Sequence, residues 1–492
     1  MAQATVDTGP DLKIVVIDDD PTGSQTVHGC PLLLRWDTET LAAGLAHPSP
    51  LLFVLANTRA LAPAAAAERV REICRALRPA LGQALASGRI GGWLVVSRGD
   101  STLRGHFPLE VEVINEELGP FDATLLVPAF LEGGRTTVDG VHRLHGQPVH
   151  ESPFARDGLF AYATSFLPDW VEQKSAGRLP ASAVDRIGWR ELEQGGSPLL
   201  RHLARLQGNV CVAVDGASVQ QLAALAAAVH TLIVSGGAPL KARPRRFLFQ
   251  SAASLIQALA GLPPQPLAPA ALAALRRRRG ERPLPGLVLV GSHVPLADRQ
   301  LERLLAEPGC VGVELEVAKV QRLLEGPEPA LLLASLELAW GRRLADVLAG
   351  GRTPVLFTSR GEARCRHAGE RRALGLALAG LMARLAAALA PGLGYLISKG
   401  GITTQTLLAD GFRLGSVSLM GQILPGLSLV VPLAAGCGER PGAAVARLPI
   451  ITFPGNLGDK ETLVLAWHAM EKASPVGQRS GPGARQLQDP SG

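Results

Sequence analysis

The sequence predicts an α/β protein of two domains, each built on a mostly parallel sheet flanked by helices. Three observations lead there. A chain of 492 residues is longer than one ordinary core organises. Short Val-, Ile- and Leu-rich runs alternate with long Ala- and Leu-rich stretches, the rhythm of strands joined by crossover helices. That rhythm breaks once, between about Leu262 and Pro285, and then restarts.

In chain order, the runs Ile14–Ile17, Leu51–Leu55, Trp93–Val96, Thr124–Val127, Val210–Val214 and Leu232–Val234 are the expected strands of a first domain over residues 1–261. Residues 262–285 combine proline clusters with the block Arg276-Arg277-Arg278-Arg279. They have no strand character and read as an interdomain linker with a short helix. A second domain over 286–473 follows, with strands expected at Leu287–Val290, Pro354–Phe357, Tyr395–Ile397 and Ile450–Phe453. Residues 474–492, rich in Gly, Ser, Pro and Gln, read as a disordered tail. The apolar stretches near 216–240 and 373–398 are interrupted by Gln221, His230, Arg384 or Pro391, and so read as buried helices followed by strands rather than membrane spans.

Composition excludes several classes. Lys+Arg 49 against Asp+Glu 43 leaves +6, with one concentrated Arg block, and aromatics are 4%. Neither a nucleic-acid nor a membrane-surface role is expected. The six cysteines, 30, 74, 211, 310, 365 and 437, form no C-x-x-C pair, so no zinc ribbon or disulfide framework is implied. With an N-terminus lacking a basic and apolar leader, they are expected to be reduced thiols of a soluble cytoplasmic protein. His28, His106, His142, His145 and His150 lack metal-ligand spacing and read as surface or pocket-lining residues.

Ligands of open parallel sheets bind beyond the carboxyl ends of the strands. Here those ends carry Asp18-Asp19-Asp20-Pro21-Thr22-Gly23, then Asn57-Thr58-Arg59, then the stretch from Ser97 through Arg98, Gly99, Asp100, Ser101 and Arg104 to His106, and then Pro128 to Thr137 with Arg135. Arginine forks pair with carboxylate or phosphate, and aspartates accept from hydroxyls or hold Mg²⁺, so this rim suits a small polyhydroxylated acid. Ser101 lacks the G-x-S-x-G elbow of an acyl-transfer nucleophile. In the second domain three strand ends run into glycine and small hydroxyl residues. These are Gly291-Ser292-His293, Ser398-Lys399-Gly400-Gly401-Ile402-Thr403-Thr404 and Pro454-Gly455-Asn456-Leu457-Gly458-Asp459. Such turns bring backbone N–H groups close to phosphate, which indicates a nucleotide site without a P-loop or a dinucleotide fingerprint. Lys399 reads equally as a phosphate contact or as a cap or surface residue.

Together these motifs resemble the four-carbon acid sugar kinase family, from about Ile14 to Ala466. The marks are Asp19-Asp20-Pro21-Thr22-Gly23, Thr58-Arg59, Asp100-Ser101-Thr102-Leu103-Arg104-Gly105, Pro128-Ala129-Phe130 with Gly134-Arg135-Thr136, and Pro148-Val149-His150-Glu151. In the second domain they are Gly291-Ser292, Ser398 to Thr403, Leu424-Pro425-Gly426 and Pro454 to Gly458.

The resemblance implies an N-terminal acid-sugar domain, a C-terminal nucleotide domain and ATP-dependent phosphorylation of a sugar-acid hydroxyl with Mg²⁺. It implies substrate contacts at Asp19 or Asp20, Arg59, Arg98, Gly99, Asp100, Ser101, Arg104 and Arg135. ATP contacts are implied at Ser292, Gly400, Gly401, Ile402, Thr403, Gly455, Asn456, Leu457 and Gly458. Arg98 stands where the family commonly has lysine, which bears on substrate identity. Arg59 and Arg104 are the expected carboxylate clamp. Asp20 or Asp100 is the carboxylate near the accepting hydroxyl, and the Mg²⁺ ligands and oligomeric state, a homodimer included, stay open. The alternatives are a two-domain oxidoreductase or lyase of sugar acids, or a non-catalytic acid-sugar sensor.

Overall fold

Strand β1 (Leu12–Asp18) is buried along its whole length, which is why its middle, Ile14–Ile17, runs continuously apolar instead of alternating. In this computed structural model the described residues are 12–472, apart from 24–25, 235–243, 263–264, 266, 326–328, 362–364, 366–367 and 434–441. The tail expected at 474–492, the N-terminal segment before Leu12 and Cys437 lie outside them.

β2 (Cys30–Leu33), β3 (Leu51–Leu55), β4 (Gly92–Arg98) and β5 (Ala123–Val127) follow. A small antiparallel sheet of β6 (Arg135–Val138), β7 (Val141–Leu144) and β8 (Gln147–Pro148) comes next, then β9 (Asp185–Ile187), β10 (Val210–Val214) and β11 (Phe247–Ser251). A hairpin of β12 (Arg278–Arg279) and β13 (Arg282–Pro283) leads into the second half. That half holds β14 (Gly286–Val290), β15 (Cys310–Leu315), β16 (Thr353–Thr358), β17 (Tyr395–Lys399), β18 (Ser416–Leu424), β19 (Leu427–Pro432) and β20 (Ile450–Phe453).

The α/β class stands, but the two sheets are fused. One sheet of 15 strands runs in the order β15-β16-β14-β17-β20-β19-β18-β2-β3-β1-β4-β11-β5-β10-β9. From β2 to β9 all pairings are parallel, as they are from β15 to β20. The antiparallel strands β18 and β19 splice the two halves, with Leu32 opposite Val417. Crossover helices cover the faces. Pro63–Ala86 begins with proline in its first turn and buries Val70, Ile73, Cys74, Leu77 and Leu81, one helical face at three- and four-residue spacing.

Two sequence readings are corrected. Leu232–Val234 is not a strand but the end of the helix Val219–Val234, because its apolar residues continue the Ala/Leu helical pattern; the strand of that unit is β11. The segment 262–285 is not devoid of strand, since it holds the β12–β13 hairpin beside the short helix Pro269–Ala273. Leu272 and Ala273 pack in the same apolar cluster as Val288, Ile397 and Ile451. Arg276 is buried and donates to the Leu284 carbonyl (2.7 Å), the Met470 carbonyl (3.0 Å) and Glu471 Oε2 (2.8 Å). Ala373–Gly392 is long and apolar enough to cross a membrane by length and composition, and it is half buried in the protein. The five described cysteines are free.

Candidate active site between the two strand rims

The carboxyl ends of β1, β3, β4 and β5 face those of β14, β17 and β20 across one cavity of about 230 Å³. Its N-terminal wall carries Asp20, Thr22, Arg59, Arg98, Asp100, Ser101, Thr102, Arg104, Phe130 and Arg135, and its C-terminal wall Val294, Gly401, Pro454, Gly455, Asn456 and Leu457.

The N-terminal wall is held by charge. Arg59 forks onto Asp19, Nε to Oδ2 at 2.9 Å and Nη2 to Oδ1 at 2.5 Å, and its Nη1 lies 3.3 Å from Asp20 Oδ2. Arg98, at the end of β4, lies 3.3 Å from Asp19 and 3.5 Å from Asp18. Arg104 donates from Nε to Asp100 Oδ2 at 2.6 Å, and Thr102 donates its hydroxyl to the same oxygen. Asp19 stands behind the wall, 2% exposed. Burial opposes ionisation of Asp20, but Arg59 and the Thr22 hydroxyl and amide outweigh it and hold the carboxyl below its ordinary range. Burial likewise opposes ionisation of Asp100, and Arg59 and Arg104 overcome it, holding Asp100 well below. Asp18 and Glu110, buried deeper, are instead pushed up by burial to about 7.

Arg135 differs from the other three arginines. It donates to the Gly133 carbonyl at 2.5 Å and lies over the Phe130 ring, its Nε is buried without a partner, and among the described residues no carboxylate pairs with it. Burial lowers its pKa from the ordinary arginine value, and Arg104 lowers it further against the pull of Asp100. Expected as the clamp, Arg59 and Arg104 already hold carboxylates; Arg135 has donor capacity to spare.

The C-terminal wall is built from backbone. Gly400 has φ of 118°, a conformation side chains rarely adopt. A Cβ on Gly455 would stand 2.6 Å from Ser292 Oγ, and one on Gly291 would collide with Thr403 Oγ1, so all three glycine junctions converge. A Cβ on Gly401 would stand 3.4 Å from Asp20 Oδ2, the closest approach of the two walls seen at a glycine.

Of the residues expected from sequence, Asp20, Arg59, Arg98, Asp100, Ser101, Arg104, Arg135, Gly401, Gly455, Asn456 and Leu457 line this cavity. Asp19, Gly99, Ser292, Gly400, Ile402, Thr403 and Gly458 do not; Gly99 lines a pocket of about 20 Å³ beneath Asp100 and Arg104. Ile402 is 46% exposed.

Other residues escaped the sequence reading. His106 and His142 are buried braces, not surface or pocket-lining groups. His106 Nε2 lies 3.1 Å from the carbonyls of Thr58 and Leu61, on either side of Arg59. His142 bridges Thr137 Oγ1 (2.9 Å) and the Ser101 carbonyl (2.8 Å), tying the β6–β7 hairpin to the Asp100 loop, and burial pushes its pKa down to about 4. Tyr162 donates to the next carbonyl, Thr102, at 2.7 Å. Directly after these braced carbonyls Leu103 takes φ of 64°, a strained position for a leucine. Arg360, just beyond β16, donates to the Ser292 carbonyl at 2.7 Å and to Asp298 at 2.6 Å. Its signal was the strand Pro354–Phe357, whose following residues Thr358-Ser359-Arg360-Gly361 occupy the same rim.

A charged, hydroxyl-rich wall opposite a glycine-lined wall makes a two-part site with side-chain charge on one half and exposed backbone on the other. The sequence matches a family described as a sugar-binding N-terminal domain over residues 14–259 and one described as a nucleotide-binding C-terminal domain over 287–463. The chain belongs to the four-carbon acid sugar kinase family. Among its relatives are a D-erythronate kinase of Heliobacterium modesticaldum, 26% identical over 91% of this chain and 95% of that protein, and a D-threonate kinase of Bordetella bronchiseptica, 26% identical over 94% and 98%. A crystal structure from Salmonella typhimurium shares the fold, with TM-score 0.63 at 19% identity over 92% of this chain and 98% of the other.

Proposed function

We propose that the protein transfers the γ-phosphoryl group of ATP to a hydroxyl of a four-carbon sugar acid, a tetronate or its 3-oxo form. The observation that carries this reading is one cavity with a wall of arginine and aspartate opposite a wall of glycine turns, where Asp20 faces Gly401. The relatives named for D-erythronate and D-threonate support the same substrate class.

In this reading Arg135, with unspent donors, takes the substrate carboxylate, assisted by Nη2 of Arg104, whose Nη1 faces Asp157 at 3.8 Å. Asp100 and Ser101 accept and donate to substrate hydroxyls. Asp20 orients the accepting hydroxyl toward the nucleotide side. Its depressed pKa suits a group that positions the nucleophile and takes the proton late, since phosphoryl transfer rests on positioning and charge stabilisation. Gly401 to Thr403 and Gly455 to Gly458 offer backbone donors to the polyphosphate, the Gly400 amide being spent on the Phe453 carbonyl at 2.9 Å. Among the described residues no group of three or more His, Cys, Asp or Glu is placed to hold a metal ion. Nucleotide-bound Mg²⁺ is held largely by phosphate and water and needs one or two protein carboxylates, a requirement Asp20 fits. When bound, Mg²⁺ would supply neutralisation of the phosphate charge.

ADP release from Mg·ATP, measured across four- and five-carbon sugar acids and their 3-oxo forms, tests this. Release is expected only with a four-carbon acid present. No release with any acid, together with no ATP binding, would overturn the reading.

A further inference from the structure

Lys399 ends β17 immediately before the Gly400–Gly401 turn and is fully buried. A buried ammonium without a carboxylate is costly. The strands on either side and the helix that follows supply none: β14, β20 and Gly401–Thr406 carry no titratable side chain. Nζ instead donates to the Pro454 carbonyl at 3.0 Å and the Gly455 carbonyl at 3.3 Å, and lies 4.0 Å from the centre of the Phe453 ring. Both carbonyls belong to the turn that lines the cavity. Lys399 is therefore neither a cap nor a surface residue, and its positive charge sits one peptide behind the nucleotide wall. The loops beyond these elements bring His293 after β14 and Asp459 after the 454–458 turn, and Asp20 faces from across the cavity. Burial is the dominant influence on the ammonium, pushing it down to about 7.

We propose that Lys399 is a positioning residue of the nucleotide half: it braces the Pro454–Gly455 turn and serves as the buried counter-charge of the bound polyphosphate, so that nucleotide binding draws a proton onto this side chain. The inference rests on the nucleotide reading above and adds a linkage to it. A polyphosphate anion near the turn favours the charged ammonium and raises its pKa. By reciprocity the protonated form binds nucleotide more tightly. Affinity is then greatest below the free protein's pKa and falls as pH rises through about 7 toward the higher pKa of the complex.

The test is calorimetric titration of Mg·ATP into the full chain at pH 7.5, in two buffers of different ionisation enthalpy, with Lys399→Met as comparison. The wild-type protein is expected to take up roughly half a proton per nucleotide. The methionine variant, of similar length in apolar surroundings, is expected to take up none and to bind ATP about tenfold more weakly, with sugar-acid affinity unchanged. Wild-type binding without proton uptake, or uptake retained in the variant, overturns the inference while leaving the kinase reading intact. No ATP binding by the wild type overturns both. Absence of proton uptake by the wild-type chain overturns the inference even if the variant does not fold.

Discussion

On and just behind the N-terminal wall of the cavity Asp19, Asp20 and Asp100 are each tied to an arginine, whereas the C-terminal wall presents glycine backbone with one lysine hidden behind it. Both walls can receive an anion, but they fail differently. Charges that hold one another serve folding as well as binding, so deleting one leaves a buried partner unpaired. A backbone cradle holds no such partner and is damaged mainly by added bulk.

The largest effect expected from this difference is on Arg59. Arg59→Ala removes the fork from buried Asp19 and the contact to Asp20 and leaves only Arg98 beside Asp19, which costs roughly 3 kcal/mol of stability; chemical denaturation at pH 7 checks it. A stability loss within about 0.5 kcal/mol would show that the N-terminal wall is not charge-locked. Gly401→Val probes the opposite wall. Its branched side chain would project toward Asp20, and kcat/KM for ATP is expected to fall about a hundredfold with little change in unfolding midpoint. Unchanged ATP kinetics in the folded variant would remove this turn from the site.

Arg135 sharpens the comparison within the charged wall itself. Because no described carboxylate depends on it, Arg135→Ala is expected to lower kcat/KM for the acid about ten- to hundredfold, the loss of roughly 1.5–3 kcal/mol, without loss of stability. Arg104→Ala should cost both. Equal stability losses in the two variants would erase the distinction between paired and unpaired arginines.

The smallest effect concerns Glu110, whose folded pKa of about 7 lies above its unfolded value of 4.5. A raised carboxyl pKa means the folded state holds more protons between those values, so its contribution to stability falls as pH rises from about 4.5 to 7. Glu110→Gln mimics the protonated form. Its unfolding temperature should exceed that of the wild type by about 2 °C at pH 8 and match it at pH 4. Equal temperatures at both pH values would show that Glu110 ionises without cost.

Much of this was legible because the chemistry sits where apolar strand runs end: Asp20, Arg59, Asp100 and Gly401 each follow such a run and line one cavity. What local pattern could not show is pairing between distant segments. The β2–β18 splice joins Leu32 to Val417, about three-quarters of the chain apart, and neither strand needs a distinctive sequence to make it. The partnership of Arg104 with Asp100, against the spare capacity of Arg135, depends on side-chain direction, which a motif does not encode. His142 and Lys399 are polar residues in buried positions, and composition gives no sign of the carbonyls that satisfy them.

The most direct measurement is a crystal structure with Mg²⁺, a non-hydrolysable ATP analogue and a four-carbon acid that supports turnover. The polyphosphate should lie on the Gly401 and Gly455 turns, the acid carboxylate on Arg135, and one substrate hydroxyl between Asp20 and the γ-phosphate. An acid bound outside this cavity, or a nucleotide on the arginine wall, would contradict the division of the site into a charged half and a backbone half.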